Sequence, residues 1–375
     1  MDMRSRQWLW TKADGWPDLD MGPSAPSLLL VFGGREALEA GDALAALARH
    51  VPRELIFGCS TAGEIEGALV HDGAVVATAL WFDRSTVVSS CAALSEAKDN
   101  TALGQLLAQR LPSTNLVHAL VLSDGTQVNG SELVRGLIAG LPSDVTLSGG
   151  LSGDGVDMKR TVVVHAGVVM SGCVSLIGFA GGVRVATGSR GGWDAFGPSR
   201  AVTKARGNVL EELDGEPALA LYKRYLGPHA AALPASALLF PLLVNPKDGS
   251  APVVRTVLGI DEAAGTMTFA GDVPMGSSAQ LMRANFERII EAGVGAAGVT
   301  RATREPEFAL LISCVGRKLI LKQRTEEELE AVRSVIGTGT TTTGFYSYGE
   351  LAPGIAGTPC QLHNQTMTVT TFWEP

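Results

Sequence analysis

Short, fully apolar runs alternate along this chain with stretches whose apolar residues recur every three or four positions, and the alternation occurs three times. In the first instance an apolar run at 28–32 precedes a helical pattern over 36–50 and a second apolar run at 55–57. In the second, the runs 120–122 and 145–147 flank a helix whose Leu133, Leu137 and Leu141 share one face, with Asn129 as its cap and Glu132 three residues on. The third has a run at 308–312, then Thr325 and Glu328 at capping-box spacing, then Leu329, Val332 and Ile336 at helical spacing, then a run at 340–343. A buried strand, an amphipathic helix and a second buried strand in this order predict a right-handed parallel crossover. A further strand-like run follows each unit, at 74–82, 174–179 and 367–372. The predicted fold is α/β, with mixed sheets built from repeated strand-helix-strand units and two domains sharing an interface pocket.

Where each second run ends, one short pattern recurs: 58–64 (GCSTAGE), 148–154 (SGGLSGD) and 344–350 (GFYSYGE). Each places a glycine five residues and a carboxylate six residues after a small residue. Small residues let the backbone turn sharply at a strand end and approach another group closely, and the carboxylate adds charge there. Connecting turns have no reason to share an acid position, so the recurrence predicts loops that line a site, with Glu64, Asp154 and Glu350 as its acids.

The repeats set the domain limits. The first two units and their trailing strands occupy 28–215, and the third unit, with inserted strands and a helix, occupies 216–372. Pro217 opens a helix that ends near Gly227. Strands are expected at 237–244, 253–258 and 267–269, and an amphipathic helix at 278–290.

Composition narrows the function class. The 375 residues are 46% apolar and 18% charged, enough for substantial cores without staples. A net charge of −8 and a pI near 5.4, with no basic stripe, argue against nucleic acid and against an anionic membrane surface. Residues 161–183 carry no formal charge but contain Gly167, Ser171, Gly172, Gly178, Gly181 and Gly182 and break at Ser171-Gly172, so they predict a buried hairpin rather than a membrane span. The first twenty residues mix charges with Trp8, Trp10 and Trp16 and show no secretory pattern, which makes the cytoplasm the expected compartment. Five cysteines without CxxC spacing fit a reducing environment.

Six segments in order, FGCSTAGEIEG (57–67), SGGLSGDG (148–155), VTKARGNVLEELDGEPALALYKRYLG (202–227), ISCVGRK (312–318), GFYSYGEL (344–351) and LHNQTMTV (362–369), resemble the FIST sensory family over about residues 28–372. The resemblance implies an intracellular ligand-sensing module of bacterial signal transduction, with amino acids among the proposed ligands of the family. It also implies a subset of free-standing relatives that contain heme, sense nitric oxide and regulate a partner histidine kinase. No effector pattern accompanies the motifs here, so signalling is expected to pass through a separate protein.

Read as chemistry, Cys59, Ser60, Thr61 and Glu64 bring a thiol, two hydroxyls and an acid to one strand end. Asp154 and Glu350 suit an ammonium group, while Arg190 and Arg317 suit a carboxylate, so an amino-acid-like ligand is one expectation. Cys314, Tyr346 and Asn364, within the family-like segments, complete the candidate binding set. Heme b is the other expectation, and it needs an axial ligand. His363, inside a family-like segment, is the first choice and His229 the second. An enzyme using Cys59 or Cys314 as nucleophile with His363 as base is the alternative from another class.

Overall fold

The computed structural model describes residues 3–112, 114–233, 235–301, 305–354 and 357–375. Three six-stranded sheets share one plan. The first runs Arg4–Trp10, Val75–Trp81, Leu28–Gly33, Ile56–Ser60, Val163–His165, Val168–Met170. The second runs Ser85–Ala93, Cys173–Gly181, Leu116–Ser123, Thr146–Leu151, Gly349–Pro353, Cys360–His363. The third runs Arg184–Arg190, Met367–Trp373, Phe308–Cys314, Thr341–Ser347, Glu64–Glu66, Leu69–His71. In each sheet the third and fourth strands are the predicted parallel pair and the rest are antiparallel.

The last two strands of every sheet come from another unit. The hairpin that follows the first motif loop (64–71) completes the third sheet, the hairpin after the second loop (163–170) completes the first, and the hairpin after the third loop (349–363) completes the second. The units therefore exchange hairpins in a closed cycle, and no sheet is complete without a neighbour.

Alternation along the parallel strands sorts the side chains into two layers. Leu28, Leu30 and Phe32 of the first sheet meet Leu120, Leu122 and Phe179 of the second and Phe308, Ile312 and Phe345 of the third in one central core. Phe32 lies 4.8 Å from Phe345, and Phe179 lies 5.1 Å from Phe372. The opposite faces carry the helices: Leu29 and Val31 pack on Leu38, Leu44 and Leu47, while Val121 packs with Leu133 and Leu137. Each fully buried Leu or Phe contributes about 1.5–3 kcal/mol, which makes this double layering the main source of cohesion.

Several local expectations change. The helical pattern over 36–50 splits into Arg35–Ala40 and Asp42–Leu47 because Gly41 adopts φ 83° between them. Asn129 does cap its helix, accepting the Ser131 and Glu132 amides. Thr325 and Glu328 do not form a capping box. The Glu328 side chain turns inward to pair with Arg317, and Thr325 donates to the Lys322 carbonyl at 2.5 Å. Residues Ser278–Arg283 form a strand, and the helix begins only at Phe286, capped by Asn285. Residues Ala235–Leu239 form a 3-10 turn ahead of the strand Leu242–Asn245. These segments belong to a nine-stranded inserted sheet with its own core around Tyr222, Met267 and Phe269. The uncharged stretch 161–183 forms the hairpin Val163–Met170 and the strand Cys173–Gly181, and no described helix is long and apolar enough to cross a membrane.

Candidate ligand-binding site

The motif loops meet at one end of the central core. Gly153 N donates to Ser60 O at 2.9 Å and Gly155 N to Thr61 O at 3.1 Å. Ala62 N and Tyr346 N bond across to Tyr346 O and Gly63 O, both at 2.8 Å, and Tyr348 N reaches Leu151 O at 3.1 Å. Close approach explains the glycines. A Cβ on Gly58, Gly149 or Gly344 would lie 1.7, 2.1 or 1.8 Å from the carbonyl oxygen of Val31, Val121 or Leu311.

Strand register corrects the motif alignment. The parallel pairs Gly33 with Ser60, Ser123 with Leu151, and Ser313 with Tyr346 make Thr61, Ser152 and Ser347 equivalent. Glu64 and Glu350 then coincide, whereas Asp154 falls one place earlier, level with Gly63 and Gly349. Their partners agree. Glu64 accepts Thr61 Oγ1 at 2.5 Å and Ala74 N at 3.1 Å, while Glu350 accepts Ser347 Oγ at 2.7 Å and Thr366 N at 3.1 Å. Asp154 instead accepts the Lys159 and Arg160 amides and the Tyr348 hydroxyl. In the second unit it is Asp124 that binds the amide ahead of the trailing strand, Gly172 N at 3.0 Å, together with Thr126 N and Gln127 N. Asp124 escaped the sequence reading, although its place directly after a buried strand and before Gly125 was a usable signal.

Burial pushes the carboxyls of Glu64 and Glu350 up to about 7, against the stabilising pull of their hydroxyl and amide donors. Both are fully buried.

Each unit contributes one junction, formed by the loop after its first strand, its own motif loop and the motif loop of the unit whose hairpin it receives. The first junction is an open cleft of roughly 710 Å³ containing Thr61, Glu64 and Asp154. Glu36, Asp42, Asp72 and Asp157 also line it, so six carboxylates face two cations, Lys12 and Arg35. Arg35 is engaged with Glu39, and Asp72 with Lys318. The second junction is a cavity of roughly 410 Å³ lined by neutral groups, including Asn100, Gln127 and Asn129, with Tyr348 from the other half of the chain and Asn208 and Phe269 from the inserted sheet. The third is plugged. Lys318 Nζ donates to Ala62 O at 3.0 Å and lies 5.7 Å from the Tyr346 ring centre, and Gln365 packs on Gly316.

The candidate residues thus separate. Thr61, Glu64 and Asp154 reach the open cleft, while Ser60 is buried beneath it with its Oγ accepting Val162 N at 2.9 Å. Cys59 points into the central core. Cys314, Arg317, Tyr346 and Glu350 cluster in the plugged junction, all buried. Arg317 is committed to Glu328 and to the carbonyls of Gly191, Gln365 and Ile289, so it has no fork to offer a ligand. Arg190 is exposed and reaches Gly354 O at 3.4 Å, and Asn364 Oδ1 takes the Thr256 amide at 3.5 Å.

The two histidines do not fit a heme. His363 is buried in its strand with Nε2 bonded to Ala352 O at 3.0 Å, and burial lowers its pKa to about 4. His229 lies at the surface with its ring 5.2 Å from Phe240. Neither lines either cavity. Thiolate chemistry at Cys59 or Cys314 is equally unsupported, because burial pushes both thiols up and holds them protonated.

Comparison with known proteins adds the lineage. The FIST N domain model matches residues 27–216 and the FIST C domain model residues 218–353. No curated protein matches the chain. Among solved structures, a chorismatase superposes at 8% identity with a TM-score of 0.37, covering 99% of both chains. A cyanuric acid hydrolase, described as an evolutionary innovation by structural concatenation, superposes at 10% identity with a TM-score of 0.35 and full coverage of both chains. Likeness at that level carries no functional argument.

Proposed function

Because the chain belongs to the FIST family, whose domains are sensory modules of signal transduction, we propose that it senses a small metabolite bearing an amino group, bound in the first-junction cleft. The observation that carries this reading is the excess of carboxylates in that cleft, with Glu64 buried at its floor between two motif loops. A cavity enclosed by low-dielectric walls and lined by one sign of charge concentrates the opposite sign. An ammonium group also supplies the N–H donors that carboxylates accept. Lys12, which lines the same cleft, suits the carboxylate of an amino acid. The five cysteines are free, which supports a cytoplasmic setting.

The signal leaves through a separate protein, such as a histidine kinase. Every motif loop is bonded to another unit's loop, so a ligand between the first and second loops bears on all three units at once. Thermal-shift and calorimetric titration with amino acids, simple amines and dicarboxylates tests the reading. Amines are expected to bind and dicarboxylates not. Asp154→Asn and Glu64→Gln should each weaken amine binding by about tenfold, as expected for loss of one charge-assisted hydrogen bond. Failure of every amine to bind, or tighter binding of dicarboxylates, overturns it.

A further inference from the structure

The second motif loop differs from the other two. The first and third enter their hairpins at Glu64 and Gly349, still within the motif, whereas the second runs on from Ser152 to Val162 before its hairpin begins. The extra length crosses the end of the central core as a strap. Two apolar side chains on it are exposed: Val156 at 65% and Met158 at 38%. Met158 holds φ 52°, a left-handed conformation that a long side chain adopts only when its surroundings enforce it. Its amide donates to the Tyr348 hydroxyl at 3.2 Å.

One side of the strap faces the acidic cleft, which Asp154, Gly155, Val156 and Asp157 line. Its other side faces a pocket of roughly 390 Å³ whose lining side chains are all apolar. Val156 and Met158 form the strap side of that pocket. Val315 and Leu319 come from the third unit, and Leu233 and Leu258 from the inserted sheet and its flank. Leu258 and Leu319 are themselves 43% and 37% exposed. Val156 is common to both linings, so the charged and apolar spaces meet across a single side chain.

We infer that the ligand is an amphipathic amine, its ammonium group held among the cleft carboxylates and its apolar chain laid over Val156 into the pocket beyond the strap. This rests on the amine-sensing reading of the cleft and adds the class of side chain. The division of labour is chemical. The cleft holds the charged groups alongside the apolar side chains of Trp10, Ala37, Ala40, Ala62 and Val156, while the pocket offers no polar side chain. Binding such a molecule would cover the apolar strap surface and tie the first and second motif loops to the inserted sheet. A short or polar-tailed amine could not make that connection.

A homologous series of unbranched 2-amino acids, from 2-aminobutyrate through norvaline and norleucine to 2-aminoheptanoate, separates the two ideas by calorimetry on the full chain. Once the chain reaches the pocket, each added methylene is expected to tighten binding by about fourfold. In Leu319→Asp and Leu258→Asp, whose side chains are already partly exposed and so leave the fold intact, that gain should fall below about twofold, because a charge now lies where the chain would be buried. Affinity that is flat along the series, with the short members still binding, overturns the inference and leaves the amine reading standing. An undiminished gain in both variants places the chain elsewhere and also overturns it. Absence of binding throughout the series defeats both.

Discussion

Arg317 and Glu328 form an ion pair in which neither side chain is exposed. It links the short helix Val315–Leu321 to the helix Thr325–Ile336, and Arg317 further donates to three carbonyls. Arg317 Nε and Glu328 Oε2 nevertheless have no partner, so the pair is incompletely satisfied. Removing one partner strands a buried charge, whereas removing both does not. Glu328→Leu and Arg317→Met should therefore each destabilise the protein by about 3 kcal/mol or more, and the double variant Arg317→Met, Glu328→Leu by clearly less than the sum of the two single changes. Urea denaturation of the four proteins measures the cycle, and strict additivity would show that the pair is not coupled.

Gly344 sets a second test. A methyl group there would lie 1.8 Å from the Leu311 carbonyl oxygen, and that oxygen belongs to a central strand that cannot retreat. Gly344→Ala is expected to cost about 3 kcal/mol or more. Gly259 has open space around the same position, and Gly259→Ala should stay within about 0.5 kcal/mol. Equal denaturation midpoints for the two variants would refute the close-packed junction.

Glu64 and Glu350 predict an unusual pH response. Their carboxyls titrate at about 7 in the fold, against 4.5 ordinarily, so between those values the folded state holds protons that the unfolded chain has lost. Stability from these groups is complete below about pH 4.5 and falls as pH rises toward 7, by at most about 1.4 kcal/mol per pH unit for each. His118 and His363, lowered to about 3 and about 4 by burial, act oppositely, since the fold resists their protonation below about pH 6.5. The informative comparison is therefore between the wild type and Glu64→Gln, Glu350→Gln, which share both histidines. The wild type should lose stability relative to the double variant between pH 5 and pH 7.5. A constant difference would mean that both acids are ionised throughout.

Much of this architecture was legible because its signals are local. The parallel strands announce themselves as apolar runs, the Asn129 cap as a side-chain oxygen before an amphipathic face, and the strand-end glycines as small residues where two backbones nearly touch. The hairpin exchange was not legible. Glu64–Glu66 has only three residues and pairs with Thr343–Phe345, far along the chain, so nothing near it in sequence specifies its partner. The same distance hid the true register of the third acid. Text alignment placed Asp154 with Glu64 and Glu350, but equivalence is decided by which residue faces which across the parallel pair, and there Asp124 takes up the task. The helical reading of 278–290 failed because a strand with alternating burial and the following helix form one apolar stretch whose period changes at Asn285. Arg317 and Glu328 looked like a ligand fork and a helix cap because charged residues are normally exposed; only tertiary packing turns them toward each other.

Thiol reactivity offers the last discrimination, because it decides whether a cysteine-dependent enzyme remains a competitor. Cys59, Cys173, Cys314 and Cys360 are buried, and each is pushed above the ordinary thiol range, three of them by burial and Cys173 first by its hydrogen bond with Cys91. Cys91 is half-buried on the strand Ser85–Ala93, and the Cys173 thiol bonded to it lowers its pKa against the opposing effects of burial and the Glu96 carboxylate. Alkylation requires both thiolate and access, so brief iodoacetamide treatment of the folded protein should modify Cys91 at least about tenfold faster than the other four. Peptide mass spectrometry reads all five sites in one experiment, and labelling in urea supplies the unfolded reference. Because Cys59 lies in the central core and Cys314 behind the Lys318 plug, their labelling should track global unfolding. Labelling of either at the rate of Cys91 would reveal an open path to a reactive thiolate and restore the catalytic alternative.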